Sequence, residues 1–70
     1  MANDITFRFA GETLTVRSEG PMWVSPSTGQ QHAELADAVR AECVRCAKDS
    51  GDDPTDCETE IQAAIDSVCV

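Results

Sequence analysis

Residues 5–17 read ITFRFAGETLTVR, and this stretch decides the fold because apolar and polar side chains alternate along it. That period is typical of a half-buried β-strand. A two-residue turn at Gly11-Glu12 would fold the stretch into a hairpin with its apolar side chains on one face. In this register Phe9 lies opposite Leu14, and Phe7 lies opposite Val16. The other face then carries the polar side chains of Thr6, Arg8, Thr15 and Arg17.

A third short strand is predicted at residues 22–24, between Gly20-Pro21 and Pro26. Met22 and Val24 would share one face of this strand, and Trp23 would lie on the other. The only tryptophan of the chain then either covers the sheet or forms an exposed anchor for a partner.

The period becomes helical after Thr28, with an apolar stripe formed by Leu35, Val39, Cys43 and Cys46. Thr28 and Gln31 have the spacing of a capping box, although Ser25-Pro26 is a competing helix start. On this reading His32 is a solvated residue of the first helical turn.

A second helix is predicted after the polar connection at residues 49–54. Thr55 and Glu58 form its expected capping box, and the helix runs to the end of the chain at Val70. Its apolar stripe consists of Cys57, Ile61, Ala64, Ile65 and Val68. Because the connection is short, we expect an antiparallel helical hairpin packed on the strands. The predicted fold is a single α+β domain over residues 1–70.

Seventy residues bury a thin core, and such a domain often needs a disulfide, a metal or a partner subunit. The four cysteines are Cys43, Cys46, Cys57 and Cys69. Cys43-x-x-Cys46 has the spacing of a metal or redox half-site, but both thiols lie on the apolar stripe, where a cysteine behaves as a small hydrophobic residue. A Cys46–Cys57 disulfide is geometrically possible and would contribute about 3 kcal/mol. Cys43 and Cys69 lie several helical turns apart, so we predict neither a metal nor a cofactor.

Catalytic motifs are missing from the sequence. His32, the only histidine, has no cysteine or serine nucleophile beside it and no third group to orient it. There is no glycine-rich phosphate loop, and Gly51 occupies the third ligand position of a calcium-loop pattern. The sequence therefore favours a binding protein over an enzyme.

Charge is the most informative property of the chain, which carries 13 acids, five bases and a net charge of −8. Residues 25–70 hold ten of the acids and three of the bases. Within them the run from residue 49 to residue 60 has no base and six acids: Asp49, Asp52, Asp53, Asp56, Glu58 and Glu60. Such a charge disfavours direct nucleic-acid binding and favours encounter with a basic protein surface. Solubility and the dipole of the second helix give a simpler reason for the same acids.

The N-terminus lacks the basic flank and apolar run of a signal peptide, and no apolar stretch approaches the length of a membrane span. We therefore expect a cytoplasmic protein that has no contact with a membrane. Free thiols are the expected state of cysteines there.

In its short length, acidity and α+β pattern the chain resembles the small inhibitors that phages encode, including anti-CRISPR proteins. The resemblance implies a DNA-mimic inhibitor that occupies a basic surface of a host nucleic-acid-binding complex, with the six acids and Trp23 in contact. Two alternatives stay open at this point. One is a cysteine-based zinc-binding or redox regulatory module, and the other is a homo-oligomer formed through Trp23 and apolar helix surface.

Overall fold

The computed structural model describes residues 4–68, which form four strands followed by two helices. The elements are β1 (Asp4–Phe9), β2 (Glu12–Glu19), β3 (Met22–Ser25), β4 (Gln30–His32), α1 (Leu35–Asp49) and α2 (Glu58–Val68). The strands form one antiparallel sheet in the order β1-β2-β3-β4. α2 packs on β1, while α1 packs across the other three strands and against α2. The predicted α+β class is confirmed, with four strands rather than two or three.

The turn between β1 and β2 lies at Ala10-Gly11, so the predicted turn at Gly11-Glu12 is wrong. Both turn residues have positive φ, 53° for Ala10 and 79° for Gly11, which is the conformation of a type I′ turn and matches the twist of a hairpin. Phe7 consequently pairs with Leu14, and Phe9 pairs with Glu12. The register differs from the predicted one by two residues, and a shift of two leaves every side chain on its predicted face.

The core lies between that face of the hairpin and the two helices. The hairpin contributes four buried side chains, which are Phe7, Phe9, Leu14 and Val16. The helices contribute Ala38, Val39, Cys43, Cys46, Ala47, Ile61, Ala64 and Ile65. Both predicted helical stripes therefore face the sheet, with Leu35, Cys57 and Val68 only partly buried at the margins.

β4 replaces what the sequence predicted as the start of the first helix. Thr28 lies in the turn before β4, where its N–H and that of Gly29 bond the carbonyl oxygen of Ser25. α1 begins only at Leu35, so neither the Thr28 capping box nor the Ser25 start exists. His32 is a half-buried strand residue that pairs with Trp23, and not a solvated helical one. β4 escaped prediction because its three residues are polar and carry no alternation.

Neither described helix combines the length and the apolar character that crossing a bilayer requires.

Replacing Ala10 by Asn should stabilise the protein by about 0.5–1 kcal/mol, because a side chain at positive φ is strained unless it is of a type that tolerates this region. Replacing Ala10 by the β-branched Val should destabilise it. Urea unfolding of the three proteins measures both effects. Equal stabilities would show that the turn does not adopt the type I′ conformation in solution.

Candidate functional site

The connection between the helices, residues 50–57, is built by a glycine-terminated helix end. Gly51 has φ +81° and its N–H bonds the carbonyl oxygen of Lys48 at 3.0 Å. The N–H of Asp52 bonds the carbonyl oxygen of Ala47 at 2.8 Å. This pair of bonds is the Schellman motif, which ends a helix and turns the chain sharply away from its axis. The chain therefore leaves α1 in a defined direction.

A second hydrogen-bonded turn follows at residues 53–57. The side chain of Asp53 accepts the N–H of Thr55 at 2.9 Å, and its carbonyl oxygen accepts the N–H of Asp56 at 3.0 Å. Cys57 donates its N–H to the carbonyl oxygen of Pro54. α2 begins only at Glu58, so the predicted start at Thr55 is three residues early. The side chain of Asp53 forms a local turn that precedes the helix.

All six acids of the predicted contact set are exposed, but their ionic environments differ. Asp49 pairs with Arg45 one helical turn earlier. Glu58 receives both of its hydrogen bonds, at 2.9 and 3.1 Å, from Arg40 of α1. Within residues 4–68, no arginine or lysine forms an ion pair with the other four, which are Asp52, Asp53, Asp56 and Glu60. We call these four the acidic connection.

The acidic connection acts as one electrostatic unit around Cys57. Partial burial raises the pKa of the Cys57 thiol, and the negative fields of Asp52, Glu60, Asp56 and Asp53 raise it further. All four carboxylates thus lie within electrostatic range of one sulfur. The arrangement attracts cationic groups and keeps this thiol protonated.

Trp23 belongs to the sheet and not to the acidic connection. It is half-buried on β3 and packs against the core, between its strand neighbours Ser18 and His32. Trp23 and Ser25 lie on the helix side of β3, whereas Met22 and Val24 lie on the opposite side, as the sequence predicted. The indole is therefore a covering side chain of the sheet with part of its surface accessible. The use of that surface by a partner stays a prediction.

Three of the four cysteines fall within the described residues, and all three are free thiols. Cys43 and Cys46 are buried in the core. Burial raises the pKa of Cys43 to about 12, and the charges of neighbouring groups such as Glu42 add to this. Burial and the carboxylate of Glu12 raise the pKa of Cys46, whose thiol points to that carboxylate at 3.8 Å. Cys46 is thus directed toward β2, and the possible Cys46–Cys57 disulfide is not formed in this structure.

No group of three or more metal-binding side chains converges anywhere between residues 4 and 68. Cys69 lies outside the described residues, so its part in the predicted arrangement of thiols is untested.

A buried carboxylate on α1 was missed by the sequence analysis. Glu42 is only 3% exposed and accepts hydrogen bonds from the hydroxyl groups of Ser25, at 2.8 Å, and Ser27. Arg45 lies one turn later, with its Nε 3.5 Å from the same carboxylate oxygen. The sequence did contain a signal for this buried carboxylate, because Glu42 precedes Cys43 at the edge of the predicted apolar stripe. A charge at such a position requires buried partners.

Comparison with protein-family models, with curated proteins and with solved structures gives no significant match.

The stability of the protein should fall as the pH rises from about 9 to 12. The Cys43 thiol ionises near its ordinary pKa of 9.0 in the unfolded chain but only near 12 in the folded protein. The unfolded state therefore binds fewer protons in this window, and the free energy of unfolding decreases by up to ~1.4 kcal/mol per pH unit. Urea unfolding of the wild type and of Cys43→Ala at several pH values measures this slope. Identical slopes in the two proteins would contradict the assignment.

Replacing Glu42 by Ala should destabilise the protein by ~1–3 kcal/mol, because the fully buried Ser25 hydroxyl loses its acceptor. Glu42→Gln keeps an acceptor oxygen and should lose less. Glu34→Ala, a change at an exposed carboxylate next to α1, should alter stability by less than about 0.5 kcal/mol and serves as the control. Equal effects of Glu42→Ala and Glu34→Ala would show that the buried network contributes nothing.

Proposed function

We propose that this protein is a small acidic inhibitor that binds a basic, nucleic-acid-binding surface of another protein complex through the acidic connection. The observation that carries the proposal is the set of four neighbouring, exposed carboxylates without a cationic partner among the described residues. A groove lined by arginine or lysine binds nucleic acid through the negative charges of the phosphate backbone. The four carboxylates present negative charges of the same kind to such a groove.

The backbone of the connection supports this role. A Schellman motif fixes one end and hydrogen-bonded turns around Asp53 fix the other, so the carboxylates project from a defined backbone. A preordered loop loses less conformational entropy on binding than a flexible one. Solubility alone requires acidic residues but no particular arrangement of them.

The paired acids set the boundary of the proposed surface. Arg40 and Arg45 already satisfy Glu58 and Asp49, so these two contribute less to attraction than the acidic connection. The Arg40–Glu58 pair joins α1 to the start of α2, whereas the Arg45–Asp49 pair lies within the last turns of α1. We therefore assign the contact to Asp52, Asp53, Asp56 and Glu60 first.

A thiol-based regulatory module is less well supported by the same structure. Metal binding and redox exchange both use the thiolate, and the surroundings of Cys43, Cys46 and Cys57 raise all three thiol pKa values. Cys57, the most accessible of the three, lies within the field of the four carboxylates of the acidic connection.

Because the chain resembles phage-encoded inhibitors, we propose host nucleases and CRISPR surveillance complexes as its first candidate partners. It also implies a cytoplasmic location, where these complexes act. In this scheme the protein does not contact nucleic acid itself but excludes it from the basic groove of the partner.

The test is a charge reversal of Asp52, Asp56 and Glu60 to Lys. The tagged wild type should capture a nucleic-acid-binding complex from a bacterial lysate that contains CRISPR complexes, and competing DNA or added salt should release it. The triple variant should lose at least ~90% of this capture, because three attractive charges become repulsive.

The matched control reverses three exposed acids elsewhere, Glu19, Glu34 and Asp66, and gives the same net charge. Retained capture by the control would assign binding to the acidic connection and not to total charge. Equal capture by both folded variants, or no captured complex with the wild type, would overturn the proposal.

A further inference from the structure

The sheet has one long open edge, and this edge is β1. β1 and β4 are the outer strands, but β4 has three residues whereas β1 has six. No segment within residues 4–68 pairs with the outer side of β1. Natural proteins usually protect such an edge, since its free N–H and C=O groups are a template for another strand.

The outward-facing residues of β1 follow from its turn. In a hairpin closed by a two-residue turn, the flanking pair is hydrogen bonded and the pairs then alternate. Phe9, Phe7 and Ile5 consequently bond β2. The backbone groups of Asp4, Thr6 and Arg8 are directed away from β2, toward the open edge.

The charges of these residues are self-complementary. If a second β1 strand runs antiparallel with a two-fold axis at Thr6, each Asp4 lies opposite Arg8 of the other copy. Thr6 then lies opposite Thr6, and the half-buried Ile5 lies opposite Phe7. All three outward residues thereby form hydrogen-bonded pairs, and both opposite-charge pairs form on the exposed face.

Neighbouring registers do not satisfy the same conditions. A pairing with Asp4 opposite Asp4, or Arg8 opposite Arg8, places like charges together. A shift by a single residue pairs outward backbone groups with inward ones and leaves them unbonded. Registers centred on Ile5 or Phe7 keep the outward groups paired but form no Asp4–Arg8 pair. Only the register centred on Thr6 combines this hydrogen bonding with both opposite-charge pairs.

The surroundings of the edge leave room for a second copy. An open groove of about 560 Å³ lies between the end of β1 and α2, lined by Arg8 and Phe9 on one side and by Glu60, Ala63 and Ser67 on the other. The excess negative charge of the chain lies in residues 25–70, whereas β1 carries one acid and one base. β1 itself is thus neutral in a strongly acidic protein, with Arg17 of β2 beside Asp4 and Glu60 of α2 beside the groove.

We propose that two copies of this chain associate through their β1 edges, in antiparallel register about Thr6, to form a continuous eight-stranded sheet. No residue of the acidic connection takes part in the strand pairing, although Glu60 lines the adjoining groove, so the dimer does not rest on the proposed inhibitory function.

The test is sedimentation of the full chain from micromolar to millimolar concentration. The wild type should show a monomer–dimer equilibrium. Thr6→Pro removes only an outward N–H and should abolish the dimer. Arg8→Asp places aspartates opposite each other at both ends of the pairing and should weaken dimerisation at least about tenfold. Asp4→Arg, Arg8→Asp and Arg17→Asp together restore both opposite-charge pairs, keep an opposite charge across the hairpin from residue 4, and should recover the dimer.

Lys48→Asp on α1 changes the net charge as much as Arg8→Asp and should leave the dimer intact. Circular dichroism checks that each variant is folded; if Thr6→Pro unfolds, the charge-swap pair decides. In a mixed labelled and unlabelled dimer, an intermolecular contact between the Hα atoms of Ile5 and Phe7 identifies the register, because Cα atoms in a non-hydrogen-bonded pair lie only about 4.5 Å apart.

A wild type that stays monomeric at millimolar concentration would overturn the proposal. So would a dimer that persists in folded Thr6→Pro, which would move the interface to another surface such as Trp23. Failure to dimerise would leave the capture experiment on the acidic connection unaffected, so the two proposals fail separately.

Discussion

The structure depends on covering one face of a four-stranded sheet with two short helices. The hairpin contributes four apolar side chains to the core, including both phenylalanines. Many of the side chains that the helices contribute are small, including Ala38, Ala47 and Ala64. Small side chains let the helices lie close to the sheet, but they also make the core thin. Little interior is then left for charged groups, so twelve of the thirteen acids remain outside the buried set.

Glu42 is the exception, and its partners explain why it is tolerated. Ser25 at the end of β3 and Ser27 in the turn that follows donate to its carboxylate, and Arg45 lies beside it. A buried carboxylate that lost these partners would be strongly unfavourable, so the bonds specify where the short polar strand sits relative to α1. This network holds the β3–β4 end of the sheet against α1, as apolar packing holds the hairpin against the helices. It compensates for a β4 strand that has almost no apolar surface of its own.

Periodicity predicted what depends on burial and missed what depends on local bonding. The faces of residues 5–17 and the stripes of both helices followed from alternation, because each of these elements buries one side. The hairpin turn was misplaced because Ala10 is an unusual residue at positive φ, and sequence preference favours glycine there. β4 and the true start of α1 are fixed by pairing with β3 and by Glu42, neither of which leaves a periodic signal. For the site, the acidic run was readable, but its division into paired and unpaired carboxylates required the positions of Arg40 and Arg45.

The two proposed surfaces respond to salt in opposite directions, which follows from where the charges lie. Attraction between the acidic connection and a basic groove weakens as ions screen it. Two copies of a chain with a net charge of −8 repel each other as wholes, and the same screening reduces that repulsion. The Asp4–Arg8 pairs also weaken, but they are exposed pairs of small individual energy, and backbone hydrogen bonding at the edge is largely insensitive to salt. Under the two proposals, high salt should therefore favour self-association at β1 and release a basic partner. A single salt titration would separate the contribution of the sheet edge from that of the acidic connection.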